Sequence, residues 1–324
     1  MRVRLTLSLL AIALVPLLIL GIVGDREVTR RLQTETQTRL VEVATSRVRE
    51  LETYFRTLQT AVGAIAQSPT VAALLTAPPD ATTARRRFQG LLSVYTESVP
   101  YQDALLLAPT GAVQLALRPN PYPNAAANPQ LQEAFAQATT LLEATISDWG
   151  RDPQTAEVSL FVSAPVLGEK GVLGAVVLRV SNRTLQRLVN QYGGLGRTGE
   201  TLVLADLAGK PTFLAATRHD PDAAFRTTID AQTPPAVARP ITEAIAGTSG
   251  VGLVPDYRGV MTLAAWRYLP SLNGAAVVKI DAAELWAPID QLRRLGLGFL
   301  GLTAIAVGLV ATALAKALTN PPSN

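Results

Sequence analysis

Residues 193–199 read GGLGRTG, and within them Gly194, Gly196 and Gly199 spell G-x-G-x-x-G. With this spacing a dinucleotide-binding loop brings backbone amides to a pyrophosphate. That chemistry needs a strand before the loop and a helix after it, so that the helix N-terminus faces the anion. Here the order is reversed: 182–191 has helical character and stops at Gly193, and 201–206 is a strand-like run. The match therefore predicts a turn, not a nucleotide site. A second match, Gly296, Gly298 and Gly301, opens an apolar stretch with no strand before it and reads as small-residue helix packing.

Other reactive residue types are scarce. The 324 residues include no cysteine, which excludes thiolate chemistry, and one histidine, which excludes His-pair metal sites. That residue, His219, lies in RHDPD, a turn-like cluster that reads as a solvated loop. Asp148, Asp152 and Glu157 offer carboxylates, but their spacing over a loop and a strand sets no common geometry, and no nucleophile–base pair accompanies them. The residues thus point away from an enzyme and imply neither cofactor nor metal. The formal charge of +4 is scattered along the chain. Arg85, Arg86 and Arg87, before Phe88, read as a solvated face or a membrane-surface contact, so no nucleic-acid partner is expected.

Two apolar runs frame everything else. Residues 1–24 carry no charge between Arg4 and Asp25, and 295–314 are uncharged and end just before Lys316. About 20 apolar residues span a bilayer core, so each run predicts a transmembrane helix. The alternatives are a cleaved signal peptide for the first, which ends in GIVG, and a buried core helix for the second. Two spans leave both termini on one side, and Arg2, Arg4 and Lys316 place that side in the cytoplasm.

Between the spans, 25–67 holds no proline, and Leu51, Tyr54, Phe55, Leu58, Val62 and Ile65 recur at three- and four-residue steps. Leu32, Leu40 and Val43 extend this stripe toward the membrane. A long helix is expected, ending at Ser68-Pro69, whose stripe packs on a sheet of its own chain and on a second copy of itself. Then come a helix over 85–98, a hairpin of 104–108 and 112–117, a helix over 131–142, and strands at 157–165 and 172–180. A smaller copy of this plan follows: a hairpin of 201–206 and 211–215, a helix within 233–246, and strands at 250–256, 260–268 and 275–280. A helix over 281–294 then runs into the second apolar stretch.

At two places the residues carry a family resemblance. GGLGRTGETLVLADLAGKPTFL resembles the G-x-x-G-x-T-G-E-x-x-L-x-D-x-x-G-x-x-L signature that opens the membrane-proximal half of double Cache sensor domains. YRGVMTLAAWRYLPSLNGAAVVKIDAAELWAPI resembles the segment that closes it, with Y-x-G, A-W-x-x-I-P, a Gly-Trp pair and V-V-K-x-D-x-x-E. The matching positions are Gly196, Gly199, Glu200, Asp206, Gly209, Gly259, Trp266, Asp281 and Glu284. Asn273-Gly274-Ala275 departs from the Gly-Trp pair, and the Arg/Trp-Tyr/Asp pattern of the amino-acid-binding subfamily is not recognisable over 118–160. The closing ALTNPPSN resembles the start of a HAMP linker.

The resemblance implies an α+β fold: a long N-terminal helix carrying two PAS-like antiparallel-sheet lobes, flanked by two transmembrane helices. The expected segments are span 1–24, signalling and dimerisation helix 25–67, membrane-distal lobe 68–192, membrane-proximal lobe 193–294, span 295–316 and a truncated HAMP-like start at 317–324. It implies an extracytoplasmic sensor of chemoreceptor or histidine-kinase type, in the plasma membrane with 25–294 outside. Its partners would be a small molecule in the distal lobe, membrane lipid, a second copy through the long helix, and a separate cytoplasmic output protein. The competing class is a non-sensory scaffold that docks another membrane protein.

The residues of the distal half are compatible with a ligand pocket. Val158, Leu160 and Val162 should face the long helix, leaving Ser159, Phe161 and Ser163 on the other side of the strand. Aromatic and hydroxyl groups suit a pocket with an apolar lining and a few polar anchors. Trp149 and Arg151 would supply a stacking face and a carboxylate clamp, with Arg118 and Tyr122 on a covering loop. For each of these six residues the alternative is ordinary packing or a surface ion pair.

Overall fold

Helix α1 (Arg2–Ala66) runs without interruption for 65 residues, which at 1.5 Å each makes a rod of roughly 100 Å. The computed structural model describes residues 2–95, 99–119, 122–152 and 157–319. After α1 the chain turns at Ser68, whose hydroxyl caps α2 (Pro69–Thr76) by accepting the N–H of Thr70, with Pro69 at the first helical position. Helix α3 (Ala81–Ser93) begins earlier than the expected 85, because the Asp80 carboxylate accepts the amides of Thr82 and Thr83 and sets the start there.

The first sheet is wholly antiparallel. It contains β1 (Asp103–Leu107), β2 (Val113–Ala116), β3 (Thr145–Ile146), β4 (Gly150–Arg151), β5 (Val158–Gly168) and β6 (Gly171–Ser181). Their order is β2-β1-β6-β5-β3, with β4 also pairing β5. Helix α4 (Pro129–Leu141), capped by Asn128 through the Leu131 amide, covers one face, and α5 (Arg183–Val189) follows β6. The second sheet is also antiparallel: β7 (Glu200–Leu207), β8 (Lys210–Phe213), β9 (Gly250–Pro255), β10 (Met261–Leu269) and β11 (Gly274–Asp281), in the order β8-β7-β11-β10-β9. Helix α6 (Pro235–Ile245) packs on it, and β11 runs directly into α7 (Ala282–Thr319).

Both sheets lie against α1. Leu51, Phe55, Leu58, Val62 and Ile65 of α1 are buried against Leu160 and Val162 of β5 and Val176 and Leu178 of β6, so the alternation along β5 places its aliphatic side as the sequence indicates. Tyr54, expected on this stripe, is half-buried at its edge. Nearer the N-terminus of α1, Leu40 and Ala44 pack on Leu263, Ala265 and Val278 of the second sheet. The main core also takes in Val203, Leu214 and Leu269, so a single apolar cluster bridges the two lobes.

Among the described residues, Ala282–Ala313 forms a helix long and apolar enough to cross a membrane, with a mean hydropathy of 2.1. Residues from Leu14 through α1, followed by α2 at a 59° bend, pass the same test together. The two helices pack together, and just outside the apolar runs Arg293 clamps Asp25 through paired contacts of 2.7 and 3.0 Å. Of the expected HAMP-like start at 317–324, α7 includes residues up to Thr319; 320–324 lie outside the described residues.

Candidate functional site

Antiparallel register determines what the first sheet presents at its α5 end. Asp103 of β1 and Phe161 of β5 both pair with Arg179 of β6, and Ser159 pairs with Ser181. Arg179 interrupts an otherwise apolar strand, VLGAVVLRV. Its guanidinium donates to Ser159 Oγ (3.2 Å) and contacts Asp152 Oδ2 (3.2 Å) and Glu157 Oε2 (3.3 Å). The Asp152 side chain is fully buried, and the Arg179 guanidinium is a cation in contact with it. Asp103 accepts the amides of Ala104 (2.8 Å) and Arg118 (3.0 Å) through one oxygen. Burial pushes its carboxyl above the usual range, against the pull of those amides and of the Arg118 and Arg179 charges.

Between this sheet end and α5 lies a groove of about 750 Å³, a size that suits a small ligand. Its charged lining is Asp103, Arg118, Glu157, Arg179, Arg183 and Arg187. Four guanidinium groups and two carboxylates line it, and with Asp152 behind Arg179 the formal surplus is one positive charge.

Of the six residues singled out from sequence, Arg118 lines this groove and the other five lie elsewhere. Tyr122 and Phe161 are buried under α4, packed with Leu105, Val177, Leu131 and Ala134, and the Tyr122 hydroxyl accepts from Asn128. Ser163 is buried on the same face of β5, with no partner for its hydroxyl among the described residues. That face is filled because α4 and the turn at 125–127 lay apolar side chains on it. Trp149 sits on the opposite side, in the α1 core, 6.2 Å from the Phe225 ring. Arg151 is exposed in β4, paired through its backbone with Val158. The sequence alone does not single out Asp103, Arg179, Arg183 or Arg187, and it offers Glu157 only as a carboxylate without fixed geometry. The signal for two of them was a charge inside or at the start of a buried strand.

The loop between the lobes does bind an anion, but the anion is the protein's own. Glu284, in the first turn of α7, accepts the amides of Arg197 and Thr198 at 2.8 Å each and the Thr198 hydroxyl at 2.5 Å. Gly196 sits at φ +69, and a Cβ there would lie 2.5 Å from the Glu284 carboxylate; one on Gly199 would lie 2.1 Å from the Leu195 carbonyl. The loop's carbonyls are held by arginines: Gln191 by Arg47, Gly194 by Arg39, and Gly196 and Arg197 by Arg218.

Next to this joint is a buried charge network. Lys279 on β11 contacts Glu200 (2.6 Å) and Asp256 (2.5 Å), with all three side chains at most 2% exposed. Tyr257 and the Arg218 amide donate to Glu200, and Arg258 bridges Asp256 to Asp281. Burial raises the Asp256 carboxyl, but hydrogen bonding and charge from Lys279, then Arg258, outweigh it and hold it below the usual range. Burial, reinforced by the Glu200 charge, pushes the Tyr257 hydroxyl up despite its bond with Thr217. The remaining motif residues are structural. Trp266 is buried and donates to Glu243 (3.1 Å), Gly209 and Gly259 turn at φ +80 and +76, and Asp206 donates its amide to Asn273.

No protein-family model and no curated protein matches the chain. Solved structures share its architecture, and they are sensor domains. The extracellular domain of the putative histidine kinase rpHK1S-Z16 is 13% identical, with a TM-score of 0.56 over 78% of this chain and 97% of its own. The ligand-binding domain of the Pseudomonas aeruginosa PAO1 amino-acid chemoreceptor PctC, in complex with GABA, is 17% identical with a TM-score of 0.52, covering 76% and 100%. That of the Pseudomonas fluorescens chemoreceptor CtaA, with L-leucine, is 13% identical with a TM-score of 0.52, covering 79% and 99%. At such identities the likeness establishes the fold. That fold is a long N-terminal helix carrying two antiparallel sheets, as in these ligand-binding and extracellular domains.

Proposed function

We propose that the chain is the input module of a membrane receptor, binding a small carboxylate-bearing molecule in its distal lobe and passing the event to α7. The observation that carries this reading is the arginine-lined groove set in a sensor fold whose α5 leads to the joint with α7. In this account the lobes are 68–192 and 193–294, residues 25–294 lie outside the membrane, and 1–24 and 295–316 span it with both termini cytoplasmic. Lipid surrounds the exposed apolar residues of the two spans, such as Leu20, Leu297 and Leu302. A second copy pairs along α1, and the output lies on the cytoplasmic side.

The coupling is a population shift. A ligand that binds better to one arrangement of α5 against the sheet end favours that arrangement by the difference in affinity alone. Helix α5 continues into the loop whose amides hold Glu284, so a shift of α5 reaches the root of α7 through hydrogen bonds rather than through a flexible linker. One observation favours the scaffold reading instead: the outer face of the distal sheet is filled by α4.

A thermal-shift screen of the chain in lipid nanodiscs, against small carboxylates, amines and purines, separates the two. A ligand of the folded state raises the midpoint, by about 2.7 kcal/mol of added stability at a hundredfold excess over Kd. A carboxylate that does so, and loses its effect in Arg118→Gln, supports the sensor; silence across the whole panel leaves the scaffold.

A further inference from the structure

Resting on the sensor reading of the same groove, we propose that its ligand is a compact polyanion, a di- or tricarboxylate or its phosphorylated equivalent, bridging Arg118 on the sheet side to Arg183 and Arg187 on α5. The charges already engaged in the groove decide which ligand it favours. Asp152 and Glu157 contact the Arg179 guanidinium, and one oxygen of Asp103 is engaged by two backbone amides. These carboxylates are committed to the sheet end, which disfavours an ammonium group as their additional partner. A zwitterion would need one of them released.

The arginines on the two sides of the groove are in the opposite situation. Among the described residues, none of Arg118, Arg183 and Arg187 forms an ion pair, and Arg187 donates to the neutral hydroxyl of Thr184. All three are exposed, so their planar donor forks face water. Like charges brought to opposite walls of one concave site repel in the empty protein, and a ligand with a single carboxylate satisfies one wall only. A ligand with two or more anionic groups satisfies both, and in doing so draws α5 toward the sheet end. Each wall then gains charge-assisted hydrogen bonds, the stronger kind.

Calorimetric titration of the full chain in nanodiscs tests this with succinate, tricarballylate and glycerol 3-phosphate against acetate, L-leucine and GABA. Binding of at least one polyanion at least tenfold more tightly than acetate is expected, a gap of about 1.4 kcal/mol. That affinity should fall about tenfold or more in Arg118→Gln and again in the Arg183→Gln, Arg187→Gln double variant, and should weaken as salt rises. Lysine at the same positions should restore part of it, because charge remains while the fork is lost. The three side chains are exposed, so unchanged unliganded melting points will confirm that the variants fold. If L-leucine or GABA binds more tightly than every polyanion and depends on Arg118, the ligand class is wrong while the sensor reading stands. If nothing binds, both fall.

Discussion

At the scale of single residues, the chain's strongest electrostatic commitments lie at the joint with α7. Removing the Lys279 ammonium leaves Glu200 and Asp256 facing each other in a site from which water is excluded. Lys279→Met should therefore cost about 3–5 kcal/mol and lower Tm by roughly 10 °C, read by calorimetry. Glu284 gives a pH dependence with a definite sign. Burial alone would raise its carboxyl, but the amides of Arg197 and Thr198 and the Thr198 hydroxyl outweigh it and hold it below the usual range. A group depressed in the fold contributes stability that is full above its unfolded value, about 4.3 for glutamate, and is lost as pH falls through the folded value. Acidification below about pH 4 should thus loosen the α7 root. In melting curves taken across this range, Glu284→Gln should start lower and lose less than the parent; identical slopes would remove Glu284 from the joint.

At the scale of elements, Gly199→Val is the direct test of the joint. A branched side chain there must displace the Leu195 carbonyl, and with it the turn that starts β7. The second-sheet lobe should melt early, followed by fluorescence in a Trp149→Phe, Trp286→Phe background that leaves Trp266 as reporter, while affinity in the groove stays within about threefold. Sequence periodicity revealed α1, its buried stripe and the order of nearly every strand, because these depend on local pattern. Helix starts shifted where a capping side chain decided them, as at Asp80 and Asn128. The site was less legible. Arg118 reached the groove, but Phe161 and Ser163 alternate as expected and then meet α4, a helix whose docking no local pattern along β5 could reveal. Arg179 stands out in sequence by interrupting an apolar strand, but its place beside Asp103 follows only from register.

At the scale of the whole molecule, the two lobes share one core against α1, and the joint between them is held by hydrogen bonds from every side. In the proposed coupling this arrangement carries displacement from α5 to α7, because packed elements shift between discrete positions rather than stretch. The most direct measurement is hydrogen exchange at residues 193–199 and the first turn of α7, in the full chain in nanodiscs, with and without a saturating groove ligand. The account predicts that ligand protects the sheet end and α5 and also changes exchange at the Arg197 and Thr198 amides, with both effects absent in Arg118→Gln. Protection confined to the groove, with the Arg197 and Thr198 amides unchanged, would contradict it.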